Sequence, residues 1–293
     1  MGGPYGWESL SDWAWIPRVG WRAVDETPYG GLPVTLRVRQ ISHSRGGWLP
    51  AGRFSRIALS DPVSLRAREN VSASVVGLGV DYLTRLMYSG DVHDSFATSL
   101  QGAMAAGMGP EASRLLSRIG GLSDESVRAA LDLVRFDQVA RRGPAGTPLF
   151  GVMGSHDVAD GATCWNVRRM VQRSCRFLDA FGPVVWEGFT FEGGYTPVVS
   201  YGDGDFLTGD TLWDMKTLRR EPTSDHTLQL LCYWLMGLHS IHPEYRRIRW
   251  IGFYNPRLDV VYRCSVASLP WPVLRRVCVH VIGYDDRWMF LES

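Results

Sequence analysis

Three aspartates and one lysine lie close together in the second half of the chain, on either side of a predicted turn. Gly209-Asp210 separates two apolar runs and indicates a two-residue hairpin. That turn sets Asp205 opposite Asp214 and Asp203 opposite Lys216, all on one face, because side chains alternate along a strand. Carboxylates about 5 Å apart repel each other unless a cation lies between them. Mg²⁺ prefers one or two carboxylates with water and phosphate oxygens, so the pattern predicts a divalent-cation site for phosphate chemistry.

Lys216 is the only lysine among the 31 Lys and Arg residues of the chain. Codon bias in a GC-rich genome explains such a ratio, but arginine does not replace lysine where a compact, rotatable ammonium is required. Two residues after Asp214, this ammonium would orient an attacking water or neutralise charge on a phosphate. The alternative is a solvated strand end at Asp203 and Asp205, with a surface ion pair between Asp214 and Lys216.

A predicted helix over 225–239 follows the hairpin, and Thr223-Ser224-Asp225 provides its N-cap. Gln229 and Tyr233 lie four residues apart on the side opposite an apolar face, so we expect them to face the hairpin. Taken alone, they also fit core polar groups with satisfied hydrogen bonds.

The remaining patterns predict a mixed α/β fold. One alternating stretch, 33–39, predicts a strand in the N-terminal part. Helical periodicity covers 73–87, 95–108, 111–119, 124–141 and 162–181. Farther on, strands are predicted at 184–191, 198–207, 212–217, 248–254 and 260–266, with a last helix at 269–282.

The ordered set of Asp205, Asp214-Met215-Lys216 and Gln229-Leu-Leu-Cys-Tyr233 resembles the PD-(D/E)XK nuclease superfamily, in particular its RecB/λ-exonuclease-like branch. The resemblance covers about a quarter of the chain, from Phe191 to Val266. It implies a restriction-endonuclease-like core of mixed β-sheet in the order α-β-β-β-α-β, with a helical insertion and an N-terminal extension. We therefore expect an extension at 1–72, a helical region with the first core helix at 73–182, and the nuclease core at 183–293.

The resemblance also implies roles for the site residues. Asp205, Asp214 and the Met215 carbonyl would hold Mg²⁺ or Mn²⁺, a bound water would attack the phosphodiester, and Lys216 would position that water. Gln229 and Tyr233 would order the site or contact the nucleic-acid backbone. Further ligand positions are Asp203, whose role exchanges with that of Asp205 if the register slips by two, and Asp81. Asp81 stands where the branch's first helix often presents His or Glu, and an ordinary solvated aspartate is the alternative for it.

A nuclease with a formal net charge of +1 needs a local cationic surface. Arg219 and Arg220 follow the Asp-x-Lys strand and are the preferred phosphate contacts. The side of the 162–181 helix opposite its apolar stripe carries Arg169, Arg173 and Arg176. This spacing predicts either a row of arginines that binds successive backbone phosphates or an ordinary solvent-exposed helix face. We expect DNA rather than RNA as the substrate. A protein partner could bind through 1–72 or the helical region.

The composition excludes several other classes. The five cysteines show no CxxC spacing and read as buried thiols in a reducing cytoplasm, and no membrane span or secretory signal is expected. Two alternative functions stay open: a catalytically idle nuclease fold that binds nucleic acid or scaffolds a complex, and, ranked lower, a sugar-nucleotide transferase with Asp203-Gly204-Asp205 as its DxD motif. By family analogy alone, a bacterial nuclease of this kind would serve in defence against foreign DNA.

Overall fold

The computed structural model describes residues 13–16, 20–23, 31–41, 47–142 and 157–285. The chain divides into two compact units. The sheet unit consists of Met1–Ala58, Phe181–Tyr254 and Val260–Ser293, and the helical unit consists of Leu59–Ala180 and Asn255–Asp259. The structure thus places the first division after residue 58, where the predicted extension ended at 72. Part of that predicted extension lies outside the described residues.

Among the described residues, the sheet unit contains a six-stranded mixed β-sheet and two two-stranded sheets. The strands are β1 (Trp13–Ile16), β2 (Gly20–Ala23), β3 (Leu32–Pro33), β4 (Ser55–Ala58), β5 (Val184–Glu187), β6 (Val199–Tyr201), β7 (Phe206–Thr208), β8 (Thr211–Met215), β9 (Trp250–Asn255) and β10 (Val260–Ser265). The large sheet has the order β4-β10-β9-β8-β7-β5, while β1 pairs with β2 and β3 with β6. Within this sheet, β7 pairs antiparallel with both β5 and β8, and β8 pairs parallel with β9. At the other edge, β4 pairs antiparallel with β10.

The described helices of the sheet unit are α1 (Val34–Gln40), α9 (Ser224–Leu238) and α10 (Trp271–Arg276). A π-helical turn (Val277–Ile282) and short 3-10 segments (Ala51–Arg53, Pro243–Arg247 and Val266–Ser268) accompany them. Because parallel strands need a crossover connection, α9 links β8 to β9. The leucines of α9 pack into one hydrophobic core with Leu207 and Leu212 of the hairpin and with Ile251 and Phe253 of β9. The face of the hairpin that carries Asp205 and Asp214 is therefore the face that α9 covers.

The helical unit has its own hydrophobic core. Its helices are α2 (Ala73–Ser89), α3 (Val92–Ser95), α4 (Ala97–Ala105), α5 (Gly109–Leu116), α6 (Asp124–Leu133), α7 (Asp137–Arg142) and α8 (Gly161–Phe181, which ends in the sheet unit). Helical periodicity predicted most of these elements. The predicted helix over 95–108 starts earlier, as the separate α3, because the Asp91 carboxylate caps that turn by accepting the Asp94 N–H at 2.9 Å. No described helix is long and apolar enough to cross a membrane.

The predicted strand at 33–39 is wrong beyond its first residue, because 34–40 form α1. Val34 and Val38 are buried and lie four residues apart, whereas Leu36 is 47% exposed. A strand would have buried all three, since they alternate with polar residues. The Arg37 guanidinium also anchors the helix by donating to the Val281 and His280 carbonyls at 3.0 and 2.8 Å.

The predicted strand at 198–207 is two strands in the structure. β6 pairs with β3, whereas β7 belongs to the six-stranded sheet. The break falls at Gly202 and Gly204, where the backbone lies against aromatic rings: a Cβ on Gly204 would lie 1.9 Å from the Phe189 ring. In the same way, the predicted last helix starts later, at Trp271, and ends in the π-helical turn.

Candidate functional site

The hairpin of β7 and β8 has the predicted register. Its pairs are Phe206 with Trp213 and Leu207 with Leu212. One step farther the same register sets Asp205 opposite Asp214. There the Asp205 Oδ2 atom accepts the Met215 N–H. The carboxylate of Asp205 is thereby fixed beside the Asp214-Met215-Lys216 segment.

The Asp214 carboxylate is buried, and the Lys216 ammonium lies on it. Asp214 is 3% exposed, and the Lys216 Nζ donates to its Oδ1 at 3.0 Å. The ammonium also approaches Oδ2 to 2.9 Å, but no described group makes a hydrogen bond with that buried oxygen. The Lys216 N–H donates to the Tyr254 carbonyl at 2.9 Å, which continues the β8–β9 pairing and fixes the lysine backbone. The Lys216 ammonium therefore neutralises the Asp214 carboxylate, whose Oδ2 has a charged neighbour but no described hydrogen bond.

All three predicted aspartates act on Lys216 electrostatically. Burial alone would lower the pKa of the lysine, but the negative charges of Asp214, Asp205 and Asp203 outweigh burial and raise it above its ordinary value. The ammonium is therefore charged at neutral pH. Asp203 is half-buried and its charge acts on Lys216, but it lies before β7, so the predicted strand pair of Asp203 with Lys216 is not part of the ladder.

Gln229 and Tyr233 lie together on α9, as the i and i+4 spacing predicted. Both are buried, and the Gln229 Nε2 donates to the Tyr233 Oη at 2.8 Å. Burial raises the pKa of Tyr233 well above its ordinary value, and the charges of Asp214 and Asp203 raise it further. The hydroxyl therefore keeps its proton at every physiological pH, close to the carboxylates.

His226 is a member of this site that the sequence reasoning missed. Its Nδ1 accepts the Thr223 N–H at 3.0 Å in a capping box at the start of α9. Burial lowers the pKa of His226, and the Lys216 charge lowers it further against the opposing effect of Asp214. The signal was the helical spacing: His226 precedes Gln229 by three residues and Tyr233 by seven, so all three share one stripe.

The other predicted metal ligand, Asp81, lies on α2 in the helical unit. The Arg85 guanidinium binds both of its carboxylate oxygens at 3.0 Å, one turn farther along the same helix. Its described contacts are therefore those of an i, i+4 ion pair.

Two of the three arginines predicted to share one face of α8, Arg169 and Arg173, are largely buried, whereas Arg176 is 49% exposed. Arg169 and Arg173 bind the carboxylate of Asp61, whose side chain is fully buried, and Arg176 approaches it to 3.4 Å. Arg173 is 5% exposed and also donates to the Pro256 carbonyl at 2.9 Å. Arg169 lowers the pKa of Asp61, and Arg173 adds to this against the effect of burial. The sequence pattern could not show this, because Asp61 is distant along the chain.

Arg219 and Arg220, the preferred phosphate contacts, are exposed in the segment that follows β8. They belong to the same unit as Asp214 and Lys216. Their role as phosphate contacts stays a prediction.

Within the described ranges, no three His, Cys, Asp or Glu side chains converge as a metal cluster. The donors at this hairpin are fewer: two carboxylates on adjacent strands and the Met215 carbonyl. Mg²⁺ takes its remaining ligands from water and substrate phosphate, so such a set suffices for it. The Asp214 Oδ2 atom makes no hydrogen bond with a described group and has the Lys216 ammonium 2.9 Å away, so a divalent cation would share this oxygen with Lys216. The residues present therefore fit a hard divalent cation.

No family model matches the chain, and neither a curated protein nor a solved structure is significantly similar to it.

Proposed function

We propose that this protein is a Mg²⁺- or Mn²⁺-dependent nuclease that hydrolyses the phosphodiester bonds of DNA. The observation that carries the proposal is the meeting of Asp205, Asp214 and Lys216 at the end of one hairpin, under a helix with Gln229 and Tyr233. Asp214 is buried and Asp205 is half-buried beside it, and two carboxylates this close with one ammonium are costly to fold; phosphate hydrolysis would explain that arrangement.

The order of elements supports a restriction-endonuclease-like core. The segment β5-β7-β8-α9-β9 provides three antiparallel strands, a crossover helix and a parallel strand, and α8 precedes β5 along the chain. The proposed site does not include Asp81, which lies on α2 of the helical unit and pairs with Arg85.

Asp205, Asp214 and the Met215 carbonyl would hold the cation, and Asp203, which does not complete a three-carboxylate cluster with them, would act through its charge on Lys216. When bound, the cation would activate a water and neutralise charge on the phosphate. Lys216, charged and fixed through its backbone to Tyr254, holds that water in line or stabilises the charge that develops on the phosphate oxygens.

The buried residues of α9 keep the donors in place. The hydrogen bond from Gln229 to Tyr233 fixes both side chains, and the Tyr233 hydroxyl supplies a protonated donor near Asp214 and Asp203. Outside the buried part, the exposed Arg219 and Arg220 bind backbone phosphates and set the salt dependence of binding.

The lower-ranked transferase is disfavoured by the elements that precede its motif. A DxD transferase needs a nucleotide-binding βαβ segment before Asp203, whereas the described residues between 73 and 181 are helical. The idle nuclease fold is distinguished by experiment.

The test is cleavage of single- and double-stranded DNA and RNA in Mg²⁺, Mn²⁺ or EDTA by the wild type, Lys216→Ala and Asp205→Asn. Glu111→Gln is the matched control, because it removes one exposed carboxylate from the helical unit. Metal-dependent cutting that both site variants lose and the control keeps supports the proposal. If the wild type binds nucleic acid in a salt-dependent way and never cuts it, the idle fold replaces the nuclease.

A further inference from the structure

The first turn of α9 places His226 at the solvent side of the proposed nuclease site. Gln229 and Tyr233, on the same helical stripe, are buried, whereas His226 is half-buried. The stripe thus runs outward from the buried Tyr233 and Gln229, and the imidazole is its outermost member. This step rests on the proposed function, because it takes the hairpin carboxylates as the catalytic centre.

The capping box fixes which nitrogen of the imidazole carries the proton. The Thr223 N–H donates to Nδ1 at 3.0 Å, so in the neutral ring the proton is on Nε2. The turn itself is held firmly: the Thr227 hydroxyl donates to the Leu49 carbonyl at 2.6 Å, and a Cβ on Gly47 would meet Ser224 at 2.4 Å. His226 therefore presents a fixed Nε2–H donor on a rigid element.

Helix α1 packs against α9 and carries Arg39 in its last turn. Besides burial and the charge of Lys216, the charge of Arg39 lowers the pKa of His226, so the guanidinium acts on the imidazole electrostatically. Arg39 is exposed, whereas Arg37 is bound to the carbonyls of Val281 and His280. Residues two apart on a helix lie on roughly opposite sides, so Arg39 is on the side of α1 away from those carbonyls.

We infer that His226 and Arg39 together bind a backbone phosphate of the nucleic-acid strand, beside the phosphate that is cut. The imidazole contributes a directed, neutral donor, and the guanidinium contributes the positive charge that a phosphate needs. Contacts of this kind fix the position of a strand without reading its sequence.

Two variants at the same position separate phosphate binding from helix capping. His226→Gln and His226→Glu both keep an oxygen that accepts the Thr223 N–H, because Gln and Glu are the usual third residues of a capping box. His226→Gln also keeps an N–H donor, whereas His226→Glu has none and adds a negative charge. The melting temperature of each variant measures the cap, and kcat/KM for DNA cleavage measures the phosphate contact.

We expect His226→Glu to lose on the order of tenfold or more in kcat/KM, mainly through KM, as for a lost hydrogen bond to a charged group. His226→Gln keeps most of the activity, and both keep the melting temperature. The independent variant Arg39→Gln, at an exposed position, lowers the salt slope of DNA binding by about 0.7–0.9. It makes the test possible even if the His226 variants do not fold.

The outcomes separate this inference from the proposed function. Suppose that the wild type cuts DNA and that this activity requires Lys216. If His226→Gln and His226→Glu then cut equally well and Arg39→Gln leaves the salt slope unchanged, the proposed phosphate contact is wrong and the proposed nuclease function is retained. If the wild type cuts nothing and binds no nucleic acid, the proposed function fails and the inference fails with it.

Discussion

Replacing Lys216 by methionine removes the ammonium from the buried Asp214 carboxylate and keeps most of the side-chain volume. The Asp214 side chain is 4% exposed and that of Lys216 is 24% exposed, so the carboxylate depends on the lysine for its compensating charge. The variant leaves a buried carboxylate with no ammonium next to it.

Breaking a buried ion pair by removing one partner costs about 3–5 kcal/mol. Because Lys216 is partly exposed, we expect about 3 kcal/mol, the lower end of that range. For a domain of 150–250 residues this lowers the melting temperature by roughly 6–12 °C. The double variant Asp214→Asn/Lys216→Met recovers most of the loss, since no charge is then buried without a partner.

The same unfolding experiment, repeated with Mg²⁺, tests whether a divalent cation binds at this carboxylate. A divalent cation takes the place of the missing positive charge, so it raises the melting temperature of Lys216→Met by more than that of the wild type. Thermal unfolding followed by circular dichroism, with and without Mg²⁺, measures both effects.

The matched control is Arg114→Met, which breaks the ion pair with Glu111. Those side chains are 58% and 37% exposed, so solvent screens the pair and its loss should leave the melting temperature nearly unchanged. The reasoning is refuted if Lys216→Met is as stable as the wild type, or if the double variant is no more stable than Lys216→Met alone.

Three further predictions concern packing and charge. In Gly204→Ala the new Cβ would lie 1.9 Å from the Phe189 ring, so we expect the substitution to displace Asp205 and reduce DNA cleavage. Adding Phe189→Leu to the same chain should restore part of that activity. Equal cleavage by Gly204→Ala and the wild type would contradict the prediction. Burial lowers the pKa of His239 to about 3, so between its ordinary value of 6.5 and 3 the unfolded chain binds a proton that the folded chain does not. Stability is therefore full above pH 6.5 and falls as the pH falls, by up to about 1.4 kcal/mol per pH unit, and His239→Phe flattens that part of a urea-denaturation pH series; an unchanged slope is the contrary result. Asp61→Asn leaves the buried Arg173 without its carboxylate and lowers the denaturation free energy by about 3 kcal/mol. Normal stability of Asp61→Asn would show that the carboxylate is not needed.

The hairpin and its register could be predicted from the sequence because both depend on neighbouring residues. Gly209-Asp210 defines the turn, and alternation then sets which side chains share a face. The pairs that the structure contains are those of the predicted register, and Asp205 meets the segment of Asp214 and Lys216 as a result.

The elements that were predicted wrongly depend on distant parts of the chain. Val34 and Val38 fit both a strand and a helix, and the choice follows from packing and from the carbonyls of Val281 and His280 that hold Arg37. β4 was missed because it shows no alternation of its own, and its place comes from pairing with β10.

The charged groups show the same division between local and distant causes. The arginines of α8 have the right helical spacing for a surface row, but Asp61, more than a hundred positions away, binds them. His226 was available from the spacing of Gln229 and Tyr233. Its relation to Lys216 and Arg39 required the packing of α9 against the hairpin and α1.

The central claim is that Asp205 and Asp214 hold a divalent cation. Titration of Mn²⁺ into the purified protein, followed by electron paramagnetic resonance of the free ion, tests it without requiring a substrate. We predict a bound Mn²⁺ in the wild type and in Glu111→Gln that is lost in Asp214→Asn and weakened in Asp205→Asn. Binding of equal strength and stoichiometry in the wild type and Asp214→Asn, or no binding in the wild type, would contradict the account.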